Sequence, residues 1–150
     1  MNGIPVYSVE IMQIAGSAPY MQRIKSADAS IKKTAQICGS VIEVDINVSG
    51  GKIIAYAHKI NACVLGQAAA AVVAKNIVGT SGEEMRRLRL QMESMLKKGG
   101  EAPSGKWGEL ACLLPVRDFA PRHTSTLLVF DAVVACLDIV EKNNSLLTRT

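Results

Sequence analysis

The stretch Cys38–Gly79, CGSVIEVDINVSGGKIIAYAHKINACVLGQAAAAVVAKNIVG, contains two different periods and a cysteine at each border. From Ser40 to Val48, Val41, Glu43, Asp45 and Asn47 alternate with Ile42, Val44, Ile46 and Val48. A period of two with one apolar face predicts a half-buried strand. Ser49–Lys52 reads SGGK, a hairpin turn, because glycine accepts the positive φ such turns require. Ile53–Ile60 is the returning strand. From Leu65 the alternation stops, and LGQAAAAVVAKNIVG predicts a buried helix closed by Gly79. Cys63 stands where strand hands over to helix. It is either a small core residue or a thiol facing the free N–H groups of a helix start, a place that favours thiolate.

The flanking sequence adds a third, weaker strand over Ala29–Ile37 and a short helix over residues 5–15, stopped by Gly16. After Gly79 only helices follow. Ser81 and Glu84 form a capping box for the helix SGEEMRRLRLQMESMLKKGG, whose apolar stripe is Met85, Leu88, Met92 and Met95. Residues 99–106 read as a flexible connector. The segment from Trp107 predicts a short helix ended by Pro115. A last helix starts near Thr124 or Ser125 and ends about Lys142. This order predicts an α+β fold, a small antiparallel sheet of about three strands with helices packed on one face. The chain reads as one domain, residues 1–150, with an ordered core over about 5–142.

Composition narrows the function classes. The chain is 49% hydrophobic and only 4% aromatic, so its core is aliphatic. A formal charge of +4, from 17 Lys and Arg against 13 Asp and Glu, without an aromatic-interleaved basic run, does not argue for nucleic acid. No apolar run is read as a membrane span, because Gly66, Gln67, Lys75 and Asn76 break the most apolar stretch. The N-terminus does not read as a signal peptide. The four cysteines, Cys38, Cys63, Cys112 and Cys136, are therefore expected as reduced thiols. Phosphate-loop, GxSxG and HExxH signatures are absent.

Chemistry-bearing residues lie at element ends. Cys38 precedes Gly39, a turn residue, at the start of a strand; a buried cysteine beside a structural glycine is the competing reading. Cys112 and Cys136 fall inside apolar helices and read as core. His58 sides by alternation with Tyr56 and Ile54 and reads as structural or solvated. His123 directly precedes the last helix, in a loop beside Thr124 and Ser125, and reads as a ligand, an acid–base group or an exposed residue. Soft metals and iron–sulfur units need thiolate or imidazole ligands converging from separate loops, and Cys38, Cys63 and the His123–Ser125 loop are placed to converge.

These same places resemble the NifU/IscU-type iron–sulfur cluster scaffold family, in its shorter SufU-like branch. The likeness covers residues 5 to 140. It lies in the core block quoted above, in LLPVRDFAPRHTSTLLVFDAV (Leu113–Val133) and in the insertion around Lys98–Gly108. In the family, three cysteines and an aspartate surround one shallow site that holds a nascent cluster or a zinc ion. The first cysteine falls on Cys38 and the second on Cys63. The aspartate is here Ser40, and the third cysteine aligns with Ser125. His123 is the candidate replacement ligand.

The resemblance implies a cytoplasmic, non-enzymatic carrier, a monomer or a homodimer without membrane or nucleic-acid partners. It implies that Cys38 and Cys63 take sulfur as persulfide from a cysteine desulfurase, with Cys63 the main acceptor. It implies that Cys38, Cys63 and His123 bind iron, a [2Fe–2S] unit or zinc, lined by Ser40 and Ser125, for delivery to apo-proteins. Two alternatives stand beside it: a persulfide carrier that builds no cluster, and a degenerate zinc-binding or regulatory module docking an acidic partner through Arg86, Arg87 and Arg89.

Overall fold

A computed structural model describes residues 7–148. The elements in chain order are α1 (Val9–Ala15), β1 (Ala29–Ala35), β2 (Ser40–Ser49), β3 (Lys52–Asn61), α2 (Val64–Asn76) and α3 (Gly82–Lys97). A 3-10 segment (Gly105–Asp118), a 3-10 turn (Ala120–Arg122) and α4 (His123–Thr148) follow. The strands form an antiparallel sheet in the order β1-β2-β3. The fold is α+β, with helices on one face of a three-stranded sheet. Residues 5 and 6 of the expected first helix lie outside the described residues. α1 begins after Ser8, whose hydroxyl accepts from Ile11 N at 3.1 Å.

The inner sheet face carries Ile42, Val44 and Ile46, all fully buried. α4 packs on β1 and β2, α2 on α4 and β3, α3 on α4, and α1 on α2. α2 is buried along Ala68–Val73 because it lies at the centre of this layer. A helix surrounded on all sides needs no polar stripe, and small alanines let its neighbours come close. α3 lies at the margin and is amphipathic, burying Met85, Leu88, Met92 and Met95. Ser81 caps it by accepting from Glu84 N at 3.1 Å, while the Glu84 carboxylate accepts from the Trp107 indole at 2.8 Å. Among the described residues one helix, over residues 120–146, is long and apolar enough to cross a membrane, unlike the expectation from sequence. Its apolar face is the core: 67% of its most apolar window is buried.

Both Gly50 and Gly51 take positive φ, +60° and +77°, as a two-residue hairpin between right-twisted strands demands. A bulge follows it. Ala55 pairs with Asn47 but Ile53 pairs with Val48, which leaves Ile54 without a partner in the ladder. The extra residue shifts the alternation. Ile53 is therefore fully buried and Ile54 is 55% exposed, so Ile54 does not side with Tyr56 and His58 as simple alternation predicts.

Tyr56 and His58 face the core. Their rings meet edge to face, and Tyr56 Oη lies 2.7 Å from His58 Nδ1. Burial pushes the Tyr56 hydroxyl up and the His58 imidazole down, to about 4 from an ordinary 6.5. Both stay neutral, and one hydrogen bond joins the hydroxyl to Nδ1. Because the folded pKa is depressed, the unfolded chain takes up a proton first as pH falls from 6.5 toward 4. Stability present above 6.5 is lost across that window, by about 3 kcal/mol. Urea unfolding at pH 7 and pH 4.5 should show this loss, and His58→Phe should flatten it. An unchanged slope in that variant would refute the assignment.

Three further features depart from the sequence reading. Pro115 does not end its helix: the 3-10 segment runs through it to Asp118. Trp107, Leu110, Leu113 and Val116 are buried at a spacing of three, the period at which a 3-10 turn repeats its face. The connector at 99–104 is anchored, since Arg117 donates to Gly100 O at 2.9 Å and to Met95 O at 3.0 Å. The last helix continues beyond Lys142 to Thr148.

The arginine face of α3 is engaged within the chain. Arg86 pairs with Asp138 at 2.8 Å and Glu141 at 3.0 Å, Arg87 with Glu83 at 2.9 Å, and Arg89 with Asp131 at 2.7 Å. Its charge is matched locally, which removes the case for an acidic docking partner there.

Candidate functional site

The antiparallel register builds the site. β2 begins at Ser40, two residues after Cys38, and β3 ends at Asn61, two residues before Cys63. Val41 pairs with Asn61, so both cysteines reach the same end of the sheet. Gly39 takes φ +73°, and its N–H donates to Ala35 O at 2.8 Å, closing the turn that presents Cys38. Cys63 is the N-cap residue of α2, in extended conformation. Gln67 donates from its side chain to Ala62 O at 2.8 Å and holds the strand-to-helix corner.

α4 delivers the third component. Ser125, in its first turn, lies against the start of α2 at Gly66. A Cβ added to Gly66 would stand 3.0 Å from Ser125 Oγ and 3.1 Å from Ser125 O. Glycine here sets how close the two helix starts come. The sequence carried this only as a break in an apolar run.

Four side chains meet in a line. Cys38 Sγ lies 3.0 Å from Ser40 Oγ, Ser40 Oγ 3.3 Å from Ser125 Oγ, and Ser125 Oγ 3.2 Å from Cys63 Sγ. The hydroxyls are buried, Ser40 at 3% and Ser125 at 1% exposure, while both thiols are half-buried. The floor is hydroxyl and the rim is thiol. The Ser40 hydroxyl holds the Cys38 thiol below its ordinary range, and the Ser125 hydroxyl and the Arg122 cation act the same way against the cost of burial. Cys38 is thus set up for thiolate chemistry.

The structure does not bring His123 into this line. Its Nε2 lies 3.0 Å from both Val116 O and Arg117 O, and the residue is 8% exposed. Carbonyls at the end of a 3-10 segment need donors, and this imidazole supplies one. Among the described residues no group of three His, Cys, Asp or Glu side chains converges on one point. Cys112 and Cys136 stand apart, with burial pushing both thiols up to about 12. Cys136 Sγ donates to Val44 O at 3.6 Å inside the core.

Sequence reasoning also missed Asp45. On the expected solvent face of β2, it is fully buried. Arg23 clamps it from Nε at 2.6 Å and Nη2 at 2.8 Å, with Ile24 N at 3.0 Å and Ser30 Oγ at 2.7 Å. The strand alternation gave it no distinguishing mark.

The fold recurs in solved structures. The N-terminal part of a nitrogen-fixing NifU-like protein from Brucella abortus superposes with a TM-score of 0.89 at 36% identity, over 91% of this chain and 95% of that one. The chain belongs to the NifU-like family. A protein of Fervidobacterium islandicum AW-1, described as an iron–sulfur cluster assembly scaffold for the SUF system, shares the fold at 21% identity. Its TM-score is 0.80, over 88% of this chain and 96% of that one. A hypothetical protein also shares it, at 19% identity and a TM-score of 0.77, over 86% and 94%. No family model matches the chain, and no curated protein does. Within this NifU-like fold, the thiol rim over a hydroxyl floor is the feature with chemical capacity.

Proposed function

We propose that the chain is a cytoplasmic iron–sulfur cluster assembly scaffold, a carrier with no turnover of its own. The observation that carries this reading is the Cys38–Ser40–Ser125–Cys63 line, with both thiols reachable from solvent, in a member of the NifU-like family. Iron or a [2Fe–2S] unit is its cargo. Thiolate is a fitting donor for it; a serine hydroxyl stays protonated near neutral pH and is a poor one.

Sulfur arrives by exchange with the persulfide of a cysteine desulfurase. The Cys63 thiolate attacks the terminal sulfur, the S–S bond of the donor breaks, and the desulfurase leaves as thiolate. Cys63 then carries the persulfide, and Cys38 is the neighbouring ligand. Recipient apo-proteins take the finished unit. Anaerobic incubation with iron and sulfide should yield a visible charge-transfer band. No band in the wild-type chain would sink this reading.

The shortage of donors favours a second reading, a persulfide carrier with no cluster or with zinc on its two thiols. Incubation with a desulfurase and cysteine, followed by mass spectrometry, should then add sulfur to one cysteine of a chain that forms no band. A chain without the adduct would remove it.

A further inference from the structure

Resting on the sulfur-acceptor role given to Cys63 above, we infer that the two buried hydroxyls are spacers that protect its persulfide. Ser125 and Ser40 keep the other thiols of the chain out of attack range, so sulfur stays on Cys63 until a reagent from outside takes it. A persulfide has a ready route of decay inside a protein. A neighbouring thiolate attacks the inner sulfur, the sulfur–sulfur bond breaks, the outer sulfur leaves with the electron pair as sulfide, and a disulfide joins the two cysteines. No oxidant is needed. A thiolate about 3–3.5 Å from the sulfur attacked is needed. The group in that place is Ser125, whose Oγ lies 3.2 Å from Cys63 Sγ. A serine hydroxyl stays protonated near neutral pH and does not displace sulfur as a thiolate does.

Cys38 is held one step further back. Its Sγ lies 3.0 Å from Ser40 Oγ and 4.0 Å from Ala35 O in its own turn, and Ser40 Oγ lies 3.3 Å from Ser125 Oγ. The hydrogen-bonded path from one thiol to the other therefore runs through two hydroxyls. Both are fixed by burial, and the Ser125 backbone is seated against Gly66, where a Cβ would stand 3.1 Å from its carbonyl oxygen. The remaining thiols are elsewhere. Cys112 lines a separate groove with Glu10, Lys75 and Glu109, and Cys136 Sγ donates to Val44 O inside the core. Cys63 itself is half-buried, so a thiol or an electron donor from solvent reaches a persulfide that the internal thiols do not. The reaction that consumes this persulfide is accordingly intermolecular. The outer sulfur passes to a partner's thiolate, or an external electron donor reduces it to sulfide.

The test loads the full chain with sulfur from a cysteine desulfurase and cysteine, then removes desulfurase and small molecules without oxygen. Intact mass, peptide mapping and free sulfide are followed over time. The wild-type chain should keep one added sulfur on Cys63 and form no disulfide. Ser125→Cys places a thiol where the hydroxyl stands. It should release one sulfide per loaded chain, at least about tenfold faster than the wild type, and leave a disulfide between Cys63 and the introduced thiol. A merely structural role for Ser125 would give neither product. A wild-type chain that decays to a Cys38–Cys63 disulfide overturns the spacer role and leaves the sulfur-acceptor role intact. So does a Ser125→Cys chain that holds its sulfur as long as the wild type. A wild-type chain that takes up no sulfur overturns both. The lifetime and product of the wild-type persulfide test the proposal even without the variant.

Discussion

Replacing Arg23 with alanine is expected to lower the unfolding free energy by about 3 kcal/mol at pH 7. The ion pair is one-sided: the Arg23 side chain is 45% exposed, whereas that of Asp45 is 1% exposed. Removing arginine strands a buried carboxylate on one hydroxyl and one N–H. Asp45→Asn removes the charge itself, frees Arg23 to water and should cost less, about 1–2 kcal/mol. This order, arginine loss worse than aspartate loss, is the signature of a stranded charge. A pH signature accompanies it. The Arg23 hydrogen bonds hold the Asp45 carboxyl at about 2, below its ordinary 3.8. Its contribution is fully present above 3.8 and is lost as pH falls through about 2, by about 2 kcal/mol. In Arg23→Ala the acid slope between pH 4 and pH 2 should shrink. Equal costs for the two variants, measured by denaturant unfolding, would count against the assignment.

Loss of either rim thiol is expected to remove cluster loading. Cys38→Ser and Cys63→Ser should each reduce the charge-transfer band by roughly tenfold or more, since even groups supporting a metal ligand are worth 10–100-fold in affinity. Both thiols are half-buried, so both variants should unfold at nearly the wild-type denaturant concentration. Ser125→Ala removes a hydrogen-bond partner of Cys63 and Ser40 but no thiolate, and should keep most of the band. Cys112→Ser is the control. Its thiol is kept protonated by burial, lies outside the site and should leave loading unchanged. A full band in Cys63→Ser, or its loss in Cys112→Ser, would place the cargo elsewhere.

Much of the fold was legible because each element declares its own period. The alternation of Ser40–Val48, the glycine pair at Gly50–Gly51 and the alanine run after Cys63 specify strand, turn and buried helix from neighbours a few residues apart. The errors share a physical cause. Ile54 left the inner face because a bulge changed the register with β2. Pro115 did not stop its segment because that segment follows a period of three, with Arg117 tied to distant carbonyls. The arginines of α3 looked like a docking face until α4 supplied Asp131, Asp138 and Glu141.

For the candidate site, the sequence by itself determined the donors: Cys38 at a glycine turn, Cys63 at a helix start, and hydroxyls at Ser40 and Ser125. Residue identity and local conformation are short-range properties. Only the tertiary structure decided which of those donors meet. It placed the hydroxyls beneath the thiols through the close approach of α4 to Gly66, and it turned His123 toward backbone carbonyls. Side-chain direction depends on what packs behind each residue, and here those neighbours come from parts of the chain tens of residues apart.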